Sequence, residues 1–247
     1  MNFKDYFSKQ AVDYAKYRPR YPVELFEYLA RVAPGRERAW DCATGNGQAA
    51  LGLARFFKQV IATDASNSQL ESAARLENVE YRIAKAEQTD IESRSVDLVT
   101  VAQALHWLNL EEFYREARRV LKDGGVIAVW SYNLLSISPE IEAVIRTFYV
   151  ETVGPYWPPE RRLVENGYSS IAFPFEDLKP PPFHMNARLS LPDLLGYLRT
   201  WSATQRFIKD KGFDPVEDVT GKLSALWGEP EKELEVRWPL SLRVGAA

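Results

Sequence analysis

Between residues 38 and 130, short apolar runs alternate with stretches whose apolar residues recur every three to four positions. The runs "RAWDC" (38–42), "QVIATD" (59–64), "VEYRIA" (79–84), "VDLVTVA" (96–102) and "GVIAVW" (125–130) predict five strands. The intervening "GQAALGLARFF" (47–57), "SQLESAARL" (68–76) and "EEFYREARRVL" (111–121) predict helices. Nearly continuous apolar strands separated by amphipathic helices imply βαβ units. The result is an α/β fold: a parallel sheet, doubly wound by right-handed crossovers and covered on both faces. Upstream, residues 1–21 read as helical until "YRPRYP", where Pro19 and Pro22 break the run. "VELFEYLARVA" (23–33) then predicts a further helix.

After Trp130 the alternation stops. "PEIEAVIRTFYVETV" (139–153) predicts one helix, followed by the Pro- and aromatic-rich "GPYWPPERRLVENGY" (154–168). "SLPDLLGYLRTWSATQRF" (190–207) predicts a helix with Ser190 as N-cap, and "ELEVRWPLSLRV" (233–244) a final alternating strand. Pro239 lacks a ladder donor, so a bulge or edge is expected there. With no repeat, low-complexity tract or clear linker, residues 1–247 read as one domain with an insertion after the fifth strand. Its parts are an N-terminal helical segment (1–34), a core (35–132), the insertion (133–172) and a C-terminal part completing the sheet (173–247).

Composition narrows the function. The single cysteine, Cys42, makes an intrachain disulfide impossible and suits a reducing compartment, so cytoplasm is the expectation. Cys42 itself reads as a small apolar filler. "MNFKDYFSKQ" has no signal-peptide core, and no apolar run approaches membrane-spanning length. The net charge is -3 with Lys and Arg dispersed, so no basic stripe points to nucleic acid. A small-molecule partner is expected, with a monomer or homodimer. Two His and one Cys offer no zinc constellation, and G-x-S-x-G and Walker loops are absent.

The candidate chemistry starts at Gly45-Asn46-Gly47-Gln48-Ala49-Ala50, which fits G-x-G-x-x-G/A, with Asp64 17 residues beyond Gly47. The glycines let a ligand lie against bare main chain, and the helix start turns free N–H groups toward it. Asp64, ending the next strand, suits two ribose hydroxyls. NAD(P) and S-adenosylmethionine are both held by such a unit, and a ligand-free tight turn is the bland alternative. Asp41 separates the two cofactors. An acid before the turn repels a pyrophosphate but suits a cationic amino-acid end, which favours the methyl donor. The absence of a Tyr-x-x-x-Lys pair also speaks against a reductase.

"DCATGNGQ" (41–48), "IATDAS" (61–66), "AKAEQTD" (84–90), "VDLVTVAQALHWL" (96–108) and "VLKDGGVIAVWSYN" (120–133) resemble the motif series of class I S-adenosylmethionine-dependent methyltransferases. The chain is similar to the small-molecule branch holding methyltransferase type 11 and trans-aconitate-methyltransferase-like enzymes. "FSKQAVDYAKYRPRYP" (7–22) and "LLGYLRTWSAT" (194–204) extend the likeness over nearly the whole chain. One departure is Ala43 in place of the family's first glycine, a change that costs little where φ is negative. The resemblance implies a Rossmann-like seven-stranded sheet, last strand antiparallel, with a lid insertion after strand five. It also implies roles. Asp41, Ala43, Thr44, Gly45 and Gly47 would hold the methionine end, and Asp64 the ribose. Ala86 and Glu87 would meet the adenine, Gln103 and Ala104 the sulfonium, while Tyr14 and Arg18 close over the donor.

Methyl transfer from a sulfonium needs positioning and exclusion of water, and a base only where the acceptor carries a proton. A carboxylate acceptor needs none. His106 is the candidate base or, alternatively, a hydrogen-bond donor to substrate; its bland reading is a helix-start histidine. Trp107, Trp130, Tyr132, Trp157 and Trp201 read as an aromatic wall for the acceptor or as core. Arg18, Arg20, Arg199 and Arg206 are the cations expected to face a pocket, each against the alternative of a solvated surface. His184, among prolines, reads as part of a connection. A silent donor-binding protein remains the non-enzymatic alternative, with Ala43 the feature in its favour.

Overall fold

The computed structural model describes residues 17–247. In order, the elements are α1 (Val23–Val32), β1 (Arg38–Cys42), α2 (Gln48–Leu53), β2 (Gln59–Asp64), α3 (Asn67–Glu71), β3 (Val79–Ile83) and β4 (Val96–Ala102). A 3-10 turn (Leu105–Trp107), α4 (Leu110–Val120), β5 (Leu121–Tyr132), α5 (Pro139–Thr147), α6 (Arg161–Glu165), β6 (Glu176–Asp177) and β7 (His184–Leu189) follow. The chain closes with α7 (Leu191–Arg199), α8 (Ser202–Lys211), α9 (Glu217–Trp227) and β8 (Leu234–Ala246).

The sheet runs β3-β2-β1-β4-β5-β8-β6. Strands β1 to β5 are parallel and β8 is antiparallel to β5, the arrangement of seven strands the family resemblance implies. Successive residues alternate between faces. On β5, Ile127 and Val129 join Trp40, Val99, Phe113 and Ala117 beneath α4, while Val126, Ala128 and Trp130 join Leu25, Phe26, Leu29 and Leu53 beneath α1 and α2. Helix α4 has Glu111 and Glu112 in its first turn and Arg118 and Arg119 in its last, complementing its dipole. Trp130 is therefore core: it is fully buried and meets Tyr21 edge-on at 5.4 Å. The expectation that it walls the substrate site is corrected: Tyr21 and the residues of α1 and α2 cover it, and on β5 the cavity lining starts two residues later, at Tyr132.

Strand β8 is long enough to serve three neighbours, with β6 pairing its last residues, Gly245 and Ala246. Leu234–Pro239 pairs β7, and Leu240–Ala246 pairs β5. Pro239 sits at the changeover, where its missing N–H costs the β5 ladder nothing because that ladder starts at Leu240. His184 opens β7 opposite Pro239, so it is a strand residue rather than part of a connection.

Several predicted helices are shorter, and hydroxyls give the reason. The helix expected over 190–207 breaks into α7 and α8. Thr200 Oγ1 donates to Tyr197 O at 2.6 Å and Thr204 Oγ1 to Leu198 O at 2.9 Å, taking carbonyls a continuous helix would use. Trp201 is left extended between them. Likewise Ser72 Oγ donates to Gln69 O at 2.7 Å, next to the end of α3. Helix α9 has no counterpart in the sequence reading, although Val219, Leu223 and Trp227 are buried at i, i+4, i+8. With α5, α7, α8, β7 and part of β8 these residues form a third apolar cluster, a cap beside the sheet.

Candidate active site

The glycine turn is built on Asp41. Its carboxylate is fully buried and accepts from Thr44 Oγ1 at 2.5 Å and Thr100 Oγ1 at 2.8 Å. Burial pushes its pKa up to about 6, against the lowering effect of those bonds and of the Ala50 N–H. Above it, Gly45 (φ +57°) and Gly47 (φ +83°) are left-handed, and Gly45 N–H donates to Asp64 Oδ2 at 2.9 Å. Asp64 Oδ1 accepts from Ser66 N–H at 2.9 Å. Ala43 is also left-handed, at φ +53°. The condition for a cheap alanine is not met, and the position carries about 1–2 kcal/mol of backbone strain.

At the ends of β4 and β5, Gln103 (φ +57°) works as a backbone clamp. Its Nε2 donates to Tyr132 O at 3.0 Å and its Oε1 accepts from Tyr132 N at 2.9 Å. Glu87 Oε1 accepts from Asn109 N at 3.0 Å, just before α4. His106 packs against Trp107, with ring centroids 4.6 Å apart and planes tilted by 46°, and its Nδ1 lies 2.9 Å from Tyr168 Oη. Burial, and then the Arg161 charge, push the His106 pKa down to about 3. The ring is neutral at physiological pH and far from the value that suits a general base.

The cap supplies the opposite wall. Arg18 donates to Thr200 Oγ1 (3.1 Å), Tyr132 Oη (2.9 Å) and Thr200 O (3.3 Å), and stacks on Tyr197. Arg161 lies over Trp157 at 4.7 Å and Tyr149 at 5.4 Å, donating from Nε to Tyr149 Oη (2.7 Å) and from Nη2 to Asn133 Oδ1 (2.6 Å). Between sheet and cap lies one cavity of about 1200 Å³, walled by Asp64, Glu87 and Gln103 on the sheet side and by Trp157, Arg161 and Trp201 on the cap side. That exceeds the roughly 300–1000 Å³ of a site for a single small ligand.

Residues 40–129 match a family model described as a methyltransferase domain. A methyltransferase of Dictyostelium discoideum is 36% identical over 245 residues, 96% of this chain and 93% of that protein. The chain belongs to the class I S-adenosylmethionine-dependent methyltransferases. An S-adenosylmethionine-dependent methyltransferase of Saccharomyces cerevisiae is 32% identical over 53% of this chain and 47% of its own length. Among solved structures, one described as a type II methyltransferase of Anaeromyxobacter dehalogenans shares 44% identity, with a TM-score of 0.88 over 93% of this chain and 97% of that one.

Most of the candidate residues of this methyltransferase meet at the cavity: Ala43, Thr44, Gly45 and Asp64 on one side, Ala86, Glu87, Gln103 and Ala104 next to them, then His106, Trp107, Tyr132, Trp201 and Arg18. Asp41 and Gly47 lie behind this lining; Asp41 holds the turn through Thr44 and Thr100. Of the other arginines, Arg199 pairs with Asp214 and Glu217, Arg206 reaches Tyr156 O, and Arg20 is exposed. Tyr14 lies outside the described residues. Cys42 is buried among apolar neighbours, as a filler would be. Sequence reasoning missed Arg161 and Tyr168, which fall in the irregular stretch 154–168 and carry no periodic signal. No helix among the described residues is long and apolar enough to cross a membrane.

Proposed function

We propose that the chain transfers the methyl of S-adenosylmethionine to a small organic acid, with donor on the sheet side of the cavity and acceptor under the cap. The observation that carries this reading is the cavity itself, lined by main chain with Asp64 and Glu87 at one end and by Trp157, Trp201 and Arg161, beside Glu160, at the other. The residues suit the donor. A Cβ at Gly45 would meet only Gln69 Oε1, at 3.7 Å, so the main chain there is open to a ligand. Asp64 can accept from ribose hydroxyls and Glu87 from an exocyclic amine, while Asp41 adds negative charge behind the turn for a cationic amino-acid end. The donor, when bound, supplies a methyl already activated on a sulfonium.

The chain's own work is then orientation and exclusion of water, worth up to roughly 7–11 kcal/mol of barrier in favourable cases. Gln103 fixes the strand ends beside the donor, and Trp107, Trp157 and Trp201 exclude water. Arg161 is the feature that favours an anionic acceptor. It is half-buried, forms no ion pair among the described residues, and leaves Nη1 without a protein partner. A guanidinium held by two neutral oxygens between two rings is organised for a carboxylate. The test is a screen of small mono- and dicarboxylic acids, amines and phenols with methyl-labelled donor. Acids are expected to be methylated, and Arg161→Gln to raise their KM at least tenfold with donor affinity unchanged. Inert acids beside reactive neutral acceptors would refute the reading.

A further inference from the structure

Tyr168 is fully buried, yet its backbone is left-handed at φ +60°, a conformation rare for a bulky residue and one that costs of order 1–3 kcal/mol. Such strain persists only where the surroundings over-determine it. Here Tyr168 N–H donates to Leu163 O at 2.9 Å, while Arg243 Nη1 reaches both Tyr168 O (3.3 Å) and Ile171 O (2.6 Å) from β8. These three bonds fix where the phenol ends, 2.9 Å from His106 Nδ1. Among the described residues, Nδ1 is the hydrogen-bond partner of this fully buried phenol. The hydroxyl has no other acceptor for its single proton, so it donates to Nδ1, which must accept, and the imidazole hydrogen is confined to Nε2.

We propose that Tyr168 is a positioning residue that holds His106 as the Nε2–H tautomer, so that His106 meets the acceptor as a hydrogen-bond donor and not as a base. The inference rests on the reading of the cavity as the acceptor site. Its chemical consequence is that the acceptor offers a lone pair to Nε2–H, as a carboxylate or carbonyl oxygen does, and arrives without a proton to be removed. The Arg161 charge on α6 acts on the ring and disfavours a second proton there.

The chain has two histidines, so nitrogen NMR of protein labelled only in histidine reads the tautomer directly, with His184→Gln assigning the signals. The experiment uses the full chain with no ligand. His106 is expected neutral at pH 7 with Nε2–H in at least about tenfold excess, and Tyr168→Phe should bring the two tautomers toward parity. A wild-type Nδ1–H tautomer, an imidazolium at pH 7, or a folded Tyr168→Phe with unaltered tautomers would overturn the proposal. Should that variant not fold, the wild-type spectrum alone decides between the tautomers. Titration of the same sample with S-adenosylhomocysteine separates the two claims, since absent binding strikes the functional reading and leaves the tautomer result standing.

Discussion

Replacing Asp41 by Asn tests the role of the carboxylate beneath the glycine turn. The side chain is fully buried, and burial raises its pKa from an ordinary 3.8 to about 6 despite two hydroxyl donors and a backbone N–H. A rise of about two pH units corresponds to about 3 kcal/mol. The folded chain binds this proton more tightly than the unfolded chain. The stability it contributes is thus fully present below about pH 4 and lost as the pH rises through about 6. Asn is nearly isosteric, accepts one hydroxyl through Oδ1, and does not titrate; Thr100 Oγ1 can turn to accept from Nδ2. Urea unfolding of both proteins from pH 4 to 8 gives the difference in stability at each pH, with other titrating groups cancelling. Wild type is expected to lose about 2.4 kcal/mol relative to Asp41→Asn across this range, most of it below pH 7. A difference that stays constant, or that moves in favour of wild type as pH rises, would refute the reasoning. Either would mean that Thr44, Thr100 and the Ala50 N–H outweigh burial.

Ala43→Gly should stabilise the fold by about 0.5–1 kcal/mol in the same urea assay. Relief of about 1–2 kcal/mol of left-handed strain is partly offset by the extra freedom of glycine in the unfolded chain; a loss of stability would contradict φ +53° at this position. Asp64→Ala should raise the dissociation constant of S-adenosylhomocysteine at least tenfold, about 1.4 kcal/mol, by calorimetry, because it removes the carboxylate facing the cavity and the acceptor of the Gly45 N–H. With an acceptor in hand, kcat should show no histidine titration between pH 5 and 8, since His106 sits at about 3. A limb near 6.5 in wild type that vanishes in His106→Gln would restore the base.

The parallel strands were legible because β1, β2, β4 and β5 are mostly apolar and buried on both faces, while β3 at the sheet edge alternates polar and apolar residues. A period of two, followed through Val129 and Trp130, already argued for Trp130 in the core. The glycine turn and the acid at the end of β2 were legible because both are local in sequence, whereas Glu87 was singled out only through the family resemblance. What sequence could not supply depends on non-local contacts. Thr200 ends α7 by reaching back for a carbonyl, and the resulting break turns Trp201 into the cavity. Arg161 and Tyr168 act through Tyr149, Asn133 and Arg243, which lie 12 to 75 positions away. The sign of φ at Ala43 likewise follows from the three-dimensional turn and has no signature in composition.

The central claim is that the sheet end of the cavity takes S-adenosylmethionine. Calorimetric titration of the wild-type chain with S-adenosylhomocysteine, with NADH in parallel, tests it most directly. Micromolar binding of S-adenosylhomocysteine, about −8 kcal/mol, with no heat from NADH is the expected result. Binding of NADH alone, or S-adenosylhomocysteine affinity unchanged in Asp64→Ala, would contradict the account.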